Sequence, residues 1–128
     1  MIITDTLSNF FSKIKNGFLA KKYKITQYKS KQIINILNIL IKEGLIKSYK
    51  VSKKKNIIYI YLKYKNNISI ISKIIRISKP SKRIYIKNKD LFKIKKKGIY
   101  ILSTSYGVVT DLQAKKLNLG GELICNIY

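Results

Sequence analysis

Two hydrophobic periods alternate along this 128-residue chain, and each marks a different kind of element. Leu7, Phe10, Phe11, Ile14 and Phe18 recur at spacings of three and four. That stripe predicts an amphipathic helix over 4–18, with Thr4 or Asp5 as its cap and Gly17 near its end. Residues 22–28 alternate as a short strand. Ser30 is placed to cap a second helix, 31–43, with Ile33, Ile34, Leu37, Leu40 and Ile41 on its buried face. Gly44 supplies the left-handed stop. Beyond Gly44 the period drops to two. Strands are expected at 45–51 and 57–64, joined by the polar turn 52–56. Ile58, Ile60 and Leu62 fall on one face, Tyr59 and Tyr61 on the other. Asn66-Asn67 marks a further turn. The run 68–78 fits both periods in part, and its β-branched content favours a strand.

Pro80 is the only proline, and Ser78-Lys79-Pro80-Ser81-Lys82 reads as a turn between modules. A strand at 83–86 and one helical turn at 88–92 follow. The basic turn Lys95-Lys96-Lys97-Gly98 leads into a strand at 99–104. A tight turn at Tyr106-Gly107 leads to Val108-Val109. Asp111 is placed to cap a short helix, 112–117, which Gly120-Gly121 ends before a last strand, 122–127. The expected fold is α+β. An N-terminal α-β-α-β-β module, 1–78, packs against a mainly antiparallel β module, 79–128, with one short helix.

Charge changes the picture from fold to partner. The chain carries 28 basic residues against 5 acidic, a net +23, while 46% of it is hydrophobic. There is enough apolar material for a core, yet a free domain at that charge repels itself and adheres to polyanions. A permanent nucleic-acid partner is the simplest expectation. Drift toward A+T-rich codons explains why Arg76 and Arg83 are the only arginines. It does not explain why carboxylates are so few.

Several chemistries are disfavoured. One cysteine and no histidine exclude an internal disulfide and nearly exclude a zinc site. Cys125 sits in an apolar run and reads as a buried small hydrophobe. The carboxylates Asp5, Glu43, Asp90, Asp111 and Glu122 are scattered at expected helix ends and turns. Serines and lysines abound, so a Ser–Lys pair would be uninformative. No catalysis, cofactor, metal or small-molecule substrate is expected. The longest apolar run, 33–41, is interrupted by Asn35 and Asn38 and is too short to span a bilayer. No membrane partner, signal peptide or transit segment is read.

Lysines recur on almost every expected turn, including Lys31, Lys53 to Lys55, Lys79 and Lys82, with Arg83 beside them. Each cation that meets a phosphate contributes about 0.7 to 0.9 to the salt slope of affinity, without reading sequence. Taken singly, most of these lysines read as a solvated face. Specificity needs neutral donors and aromatic planes. Ser103, Thr104 and Ser105 put three hydroxyls beside the amides of a turn, a set suited to irregular RNA. Gly107 lets backbone approach closely, and Tyr106 and Tyr85 offer stacking surfaces. The alternative is a β-turn whose hydroxyls satisfy their own backbone, and spacing does not choose between the two.

Longer motifs add a resemblance. Residues 5–17, Asp-Thr-Leu-Ser-Asn-Phe-Phe-Ser-Lys-Ile-Lys-Asn-Gly, and the closing Lys42-Glu43-Gly44-Leu45-Ile46 match in order and spacing. So do residues 77–85, Ile-Ser-Lys-Pro-Ser-Lys-Arg-Ile-Tyr, the run Ser103 to Asp111, and Leu119-Gly120-Gly121-Glu122. Together they resemble the small-subunit ribosomal protein eight family of bacterial and organellar type over essentially the whole chain. The resemblance implies a structural protein of translation. It would bind the central domain of small-subunit ribosomal RNA early, help to organise the platform and lie beside neighbouring small-subunit proteins. It implies RNA contacts at Ser103, Thr104, Ser105 and Gly107, support from Tyr85 and Glu122, and backbone contacts from Lys31 and Lys55. Tyr106 departs from the family's frequent lysine, and Asn126 from a common aromatic.

Two other classes compete. Helix 31–43 with the following hairpin resembles a winged-helix DNA-binding regulator, although its apolar sides leave little groove-reading surface. A cationic membrane-surface protein would need one long amphipathic helix. Composition suits an A+T-rich organellar gene, mitochondrial rather than plastid, or the cytoplasm of an A+T-rich bacterium.

Overall fold

A computed structural model describes residues 6–94 and 97–128 of the chain. Two compact units divide at Ser72/Lys73. Thr4, Asp5, Lys95 and Lys96, to which the sequence assigned a cap and part of a turn, lie outside the described residues.

In the first unit, α1 (Thr6–Leu19) buries Leu7, Phe10, Phe11, Ile14 and Phe18, the stripe expected from the sequence. Strand β1 (Lys24–Tyr28) follows, then α2 (Lys31–Lys42), β2 (Ile46–Ser52) and β3 (Ile57–Leu62). The three strands form an antiparallel sheet with β3 at its centre. Ile25, Ile58, Ile60 and Leu62 are buried, as are Ile33, Ile36, Leu37 and Leu40 of α2. Ile34 and Ile41, expected in that face, are only half-buried.

Ser30 occupies the N-cap position of α2, but its side chain makes no capping hydrogen bond. The other end follows expectation. Gly44 has φ +76° and donates its N–H to the Ile41 carbonyl at 3.0 Å, and Leu45 N–H reaches the Leu40 carbonyl at 2.8 Å. This pair of bonds satisfies carbonyls that the helix end would otherwise leave open.

The ambiguous run 68–78 is not one strand. Strands β4 (Tyr64–Lys65) and β5 (Ile68–Ser69) form a small hairpin across Asn66 and Asn67, whose φ angles of 52° and 63° suit a tight turn. Strand β6 (Ile74–Arg76) instead pairs with the last strand of the second unit. That pairing draws residues 73–78 into the second unit, although their sequence placed them at the end of the first.

The second unit is built around β10 (Gly121–Ile127). One edge of β10 pairs with β7 (Tyr85–Ile86) and, further along, with β6; the other pairs with β8 (Ile99–Thr104), which pairs in turn with β9 (Gly107–Thr110). Two short helices, α3 (Asn88–Leu91) and α4 (Asp111–Lys116), complete it. Leu102, Leu123 and Val109 lie across from one another on three strands and share a core with Leu91 and Ala114. A register shift between Leu123 and Cys125 leaves Ile124 as the extra residue of a bulge, and its carbonyl accepts from Ile77 N–H at 3.0 Å.

Strand 83–86 is shorter than expected: Tyr85 and Ile86 pair in register with β10, while Ile84 contributes its carbonyl alone, accepting from Leu123 N–H at 2.9 Å. The cap of α4 also differs. Thr110 accepts from Gln113 N–H at 3.3 Å, while the Gln113 side chain accepts from Thr110 N–H at 3.2 Å, a reciprocal capping box. Asp111 is buried one residue later and accepts from Tyr100 N–H at 3.3 Å. Asn118, at φ 56°, ends α4 in place of the glycine pair. Gly121 serves packing instead: a Cβ there would collide with the Ser103 carbonyl oxygen.

Candidate nucleic-acid interface

The period of two sorts the β7–β10–β8 sheet into two faces. Leu102 and Leu123 point to the core, so their neighbours Ser103 and Glu122 point away from it. Glu122 lies opposite Ser103 on one side and opposite Tyr85 on the other. Directly opposed residues share a face, so Tyr85, Glu122 and Ser103 form one row across three strands. Arg83, two residues before Tyr85, reaches back to the same row. Its Nη1 donates to both Glu122 carboxylate oxygens, at 3.3 and 3.2 Å. The pairing ties the guanidinium to the row through Glu122, and the arginine side chain stays 58% exposed.

The bend between β8 and β9 extends this row. Its central residues are Ser105 and Tyr106, one position before the expected turn, and Gly107 opens β9. Thr104 holds the bend shut: its hydroxyl donates to the Gly107 carbonyl at 2.9 Å and accepts from Tyr106 N–H at 3.2 Å. The self-satisfied turn therefore describes Thr104, whose hydroxyl is engaged. Ser105 is exposed, and its hydroxyl has no partner among the described residues. Tyr106 is 74% exposed and Tyr85 69%. Gly107 has φ +104°, and a Cβ added there would meet nothing within 4 Å. The bend thus presents a free hydroxyl, bare backbone and an open ring, while Thr104 fixes their geometry.

Lys82 closes a two-residue hairpin with Lys79. Lys79 N–H donates to the Lys82 carbonyl at 2.9 Å, and Lys82 N–H to that of Lys79 at 3.0 Å, with Pro80 and Ser81 between. Ser78, which sequence reasoning passed over as linker, is buried and anchors the segment. Its hydroxyl accepts from Ile84 N–H at 2.9 Å and donates to the Ile84 carbonyl at 3.2 Å. Ser78 thereby sets the course of Arg83 and Tyr85. Nothing in its sequence context announces burial; only a partner six residues away does.

Lys31 and Lys55 belong to the first unit, and both are exposed. Lys29 N–H donates to the Asn56 carbonyl at 3.0 Å, which joins the segments that carry the two lysines at one end of the unit.

The structure assigns other residues to support. Asn126 is buried, and its amide donates to the Lys97 and Ile99 carbonyls at 2.8 and 2.9 Å. Cys125 is fully buried, and burial pushes its thiol up to about 12, with the Arg76 charge acting weakly the other way. No cluster of His, Cys, Asp or Glu able to hold a metal occurs among the described residues. No helix among them is long and apolar enough to cross a membrane.

Comparison with known proteins gives one family. Residues 5–128 match the family described as Ribosomal protein S8. The chain is 42% identical to "Small ribosomal subunit protein uS8" of Rickettsia massiliae and of Rickettsia typhi, and 37% identical to that of Geotalea uraniireducens. Each alignment covers the whole of both chains. The winged-helix reading is not supported. The match spans residues 5–128, well beyond the helix and hairpin on which that reading stood, and Ile33, Ile36, Leu37, Ile39 and Leu40 of α2 are buried.

Proposed function

The chain belongs to the ribosomal protein S8 family, and from that premise we propose that it is a structural constituent of the small ribosomal subunit, binding directly to the central domain of small-subunit RNA. It is not an enzyme; its relatives are ribosomal proteins. It helps the platform assemble by fixing an irregular RNA helix and presenting it to neighbouring small-subunit proteins.

The observation that supports the second unit as the reading surface is the row Tyr85–Glu122–Ser103 running into the bend at Ser105–Gly107. Ser105 bonds a sugar 2′-OH or a base edge, the Gly107 backbone comes close to the strand, and Tyr106 and Tyr85 stack on exposed bases. Glu122 steers Arg83, and Lys82 adds adhesion. Lys31 and Lys55 meet phosphates from the first unit. Against a net charge of +23, this division of labour separates holding from reading.

The named relatives are bacterial, which favours the cytoplasm of an A+T-rich bacterium over the mitochondrion suggested by composition. The test of function is affinity at matched salt for three ligands: a central-domain ribosomal helix with its internal loop, a fully paired RNA hairpin and duplex DNA. A clear preference for the first is expected. Equal affinity for all three would reduce the account to charge alone.

A further inference from the structure

The first unit has an open sheet face of a different kind. Strand pairing sets Lys24 opposite Tyr61 and Tyr61 opposite Ser48. Two residues along, Thr26 lies opposite Tyr59, and Tyr59 opposite Lys50. These residues share the side turned away from buried Ile25, Ile58 and Ile60. Two phenol rings therefore sit at the centre of the sheet, with ammonium groups on both edges. Lys24 Nζ stands 4.9 Å from the centroid of the Tyr59 ring. Tyr23 meets Tyr61 edge-on at 5.6 Å, and Lys47 Nζ lies 5.5 Å from the Tyr23 ring. A shallow depression of about 390 Å³ is lined by both rings together with Lys24, Lys50 and Lys53. Among the described residues of this unit the one carboxylate is Glu43, which caps α2, so no acid on the sheet neutralises these lysines.

We propose that this face is a second RNA contact, a platform on which unpaired bases stack against Tyr59 and Tyr61 while their phosphates lie along Lys24, Lys50 and Lys53. The inference rests on RNA being the partner, and it adds a site apart from the bend of the second unit. Aromatic planes ringed by cations suit single strands, whose base faces are free, and not duplexes, whose base faces are already stacked. A protein partner is disfavoured by the same lysines, since lysine is depleted where protein surfaces bury one another.

The test uses the full chain with a labelled oligoadenylate and an RNA duplex of equal length at matched salt. Tyr59→Leu with Tyr61→Leu keeps the strand apolar and removes the rings; Tyr59→Phe with Tyr61→Phe keeps them. The Leu pair is expected to weaken oligoadenylate binding at least about fivefold, with the Phe pair within about twofold of the parent. Equal affinity across parent, Leu pair and Phe pair overturns the platform. Should the Leu pair fail to fold, the exposed pair Lys24→Gln and Lys50→Gln decides. A salt slope lower by about 1.4 supports the site, and an unchanged slope overturns it. Ser105→Ala separates this proposal from the function it rests on. If Ser105→Ala weakens binding to the ribosomal helix while the Leu pair is silent, the platform is wrong and the bend stands. If Ser105→Ala is silent while the Leu pair acts, the platform stands and the bend is wrong.

Discussion

Gly107→Ala separates folding from recognition at the bend. The native φ of +104° lies where an L-residue is strained, and the strain costs about 1–2 kcal/mol. No steric penalty is added, since the new Cβ would meet no protein atom within 4 Å. Thermal melting should therefore fall by about 3–10 °C for a domain of this size, with the fold retained. RNA binding should fall as well, by a separate route. The methyl group stands where the bare backbone would meet the nucleotide, and the Gly107 carbonyl that accepts from Thr104 shifts with it. A loss of about tenfold in affinity for the ribosomal helix is expected, equal to roughly 1.4 kcal/mol. Binding to a fully paired hairpin, held by lysines, should hardly change. Gly121→Ala is the contrast: its Cβ collides with the Ser103 carbonyl oxygen, so stability and binding should fall together. Isothermal titration and melting curves on both variants settle the matter. A Gly107→Ala protein that melts lower yet binds the ribosomal helix as the parent does would refute the assignment of this bend.

Two further predictions concern support. Thr110→Ala removes one arm of the capping box on α4 and should cost about 0.5–2 kcal/mol, read as a lower denaturant midpoint with an unchanged slope. The Cys125 thiol, pushed up to about 12 by burial, should resist alkylation at pH 8 to 9 in the native state and react on unfolding. The linkage sign follows: its native proton is held more tightly than the unfolded one. The associated stability is full below the ordinary thiol range and declines as pH rises toward 12, which pH-dependent denaturation checks.

What was legible in the sequence followed from local chemistry. The α1 stripe, the Gly44 stop and the alternation in β3 each depend on neighbours within a few residues. The bend 103–107 was legible as a hydroxyl cluster, but the division of its roles was not. Thr104 locks the turn and Ser105 stays free, and only the geometry of Gly107 and Tyr106 separates them. What escaped depends on distant partners. Residues 68–78 carry one apolar run, yet β5 pairs locally while β6 pairs with β10 about fifty residues on. By type Asp111 is the better cap than Thr110; its burial and its bond from Tyr100 N–H leave the role to Thr110. Tyr59 and Tyr61 were visible as one face, but the lysines across the sheet come from the register of three strands.

The most direct measurement is the effect of Ser105→Ala on two RNAs in parallel, the central-domain helix with its internal loop and the same helix made fully paired. Ser105 is exposed and its hydroxyl has no partner among the described residues, so the substitution leaves the fold intact. The predicted result is a loss of about 1 kcal/mol or more on the irregular helix and none on the paired one. Equal losses on both, or none on either, would contradict a hydroxyl that reads distorted RNA.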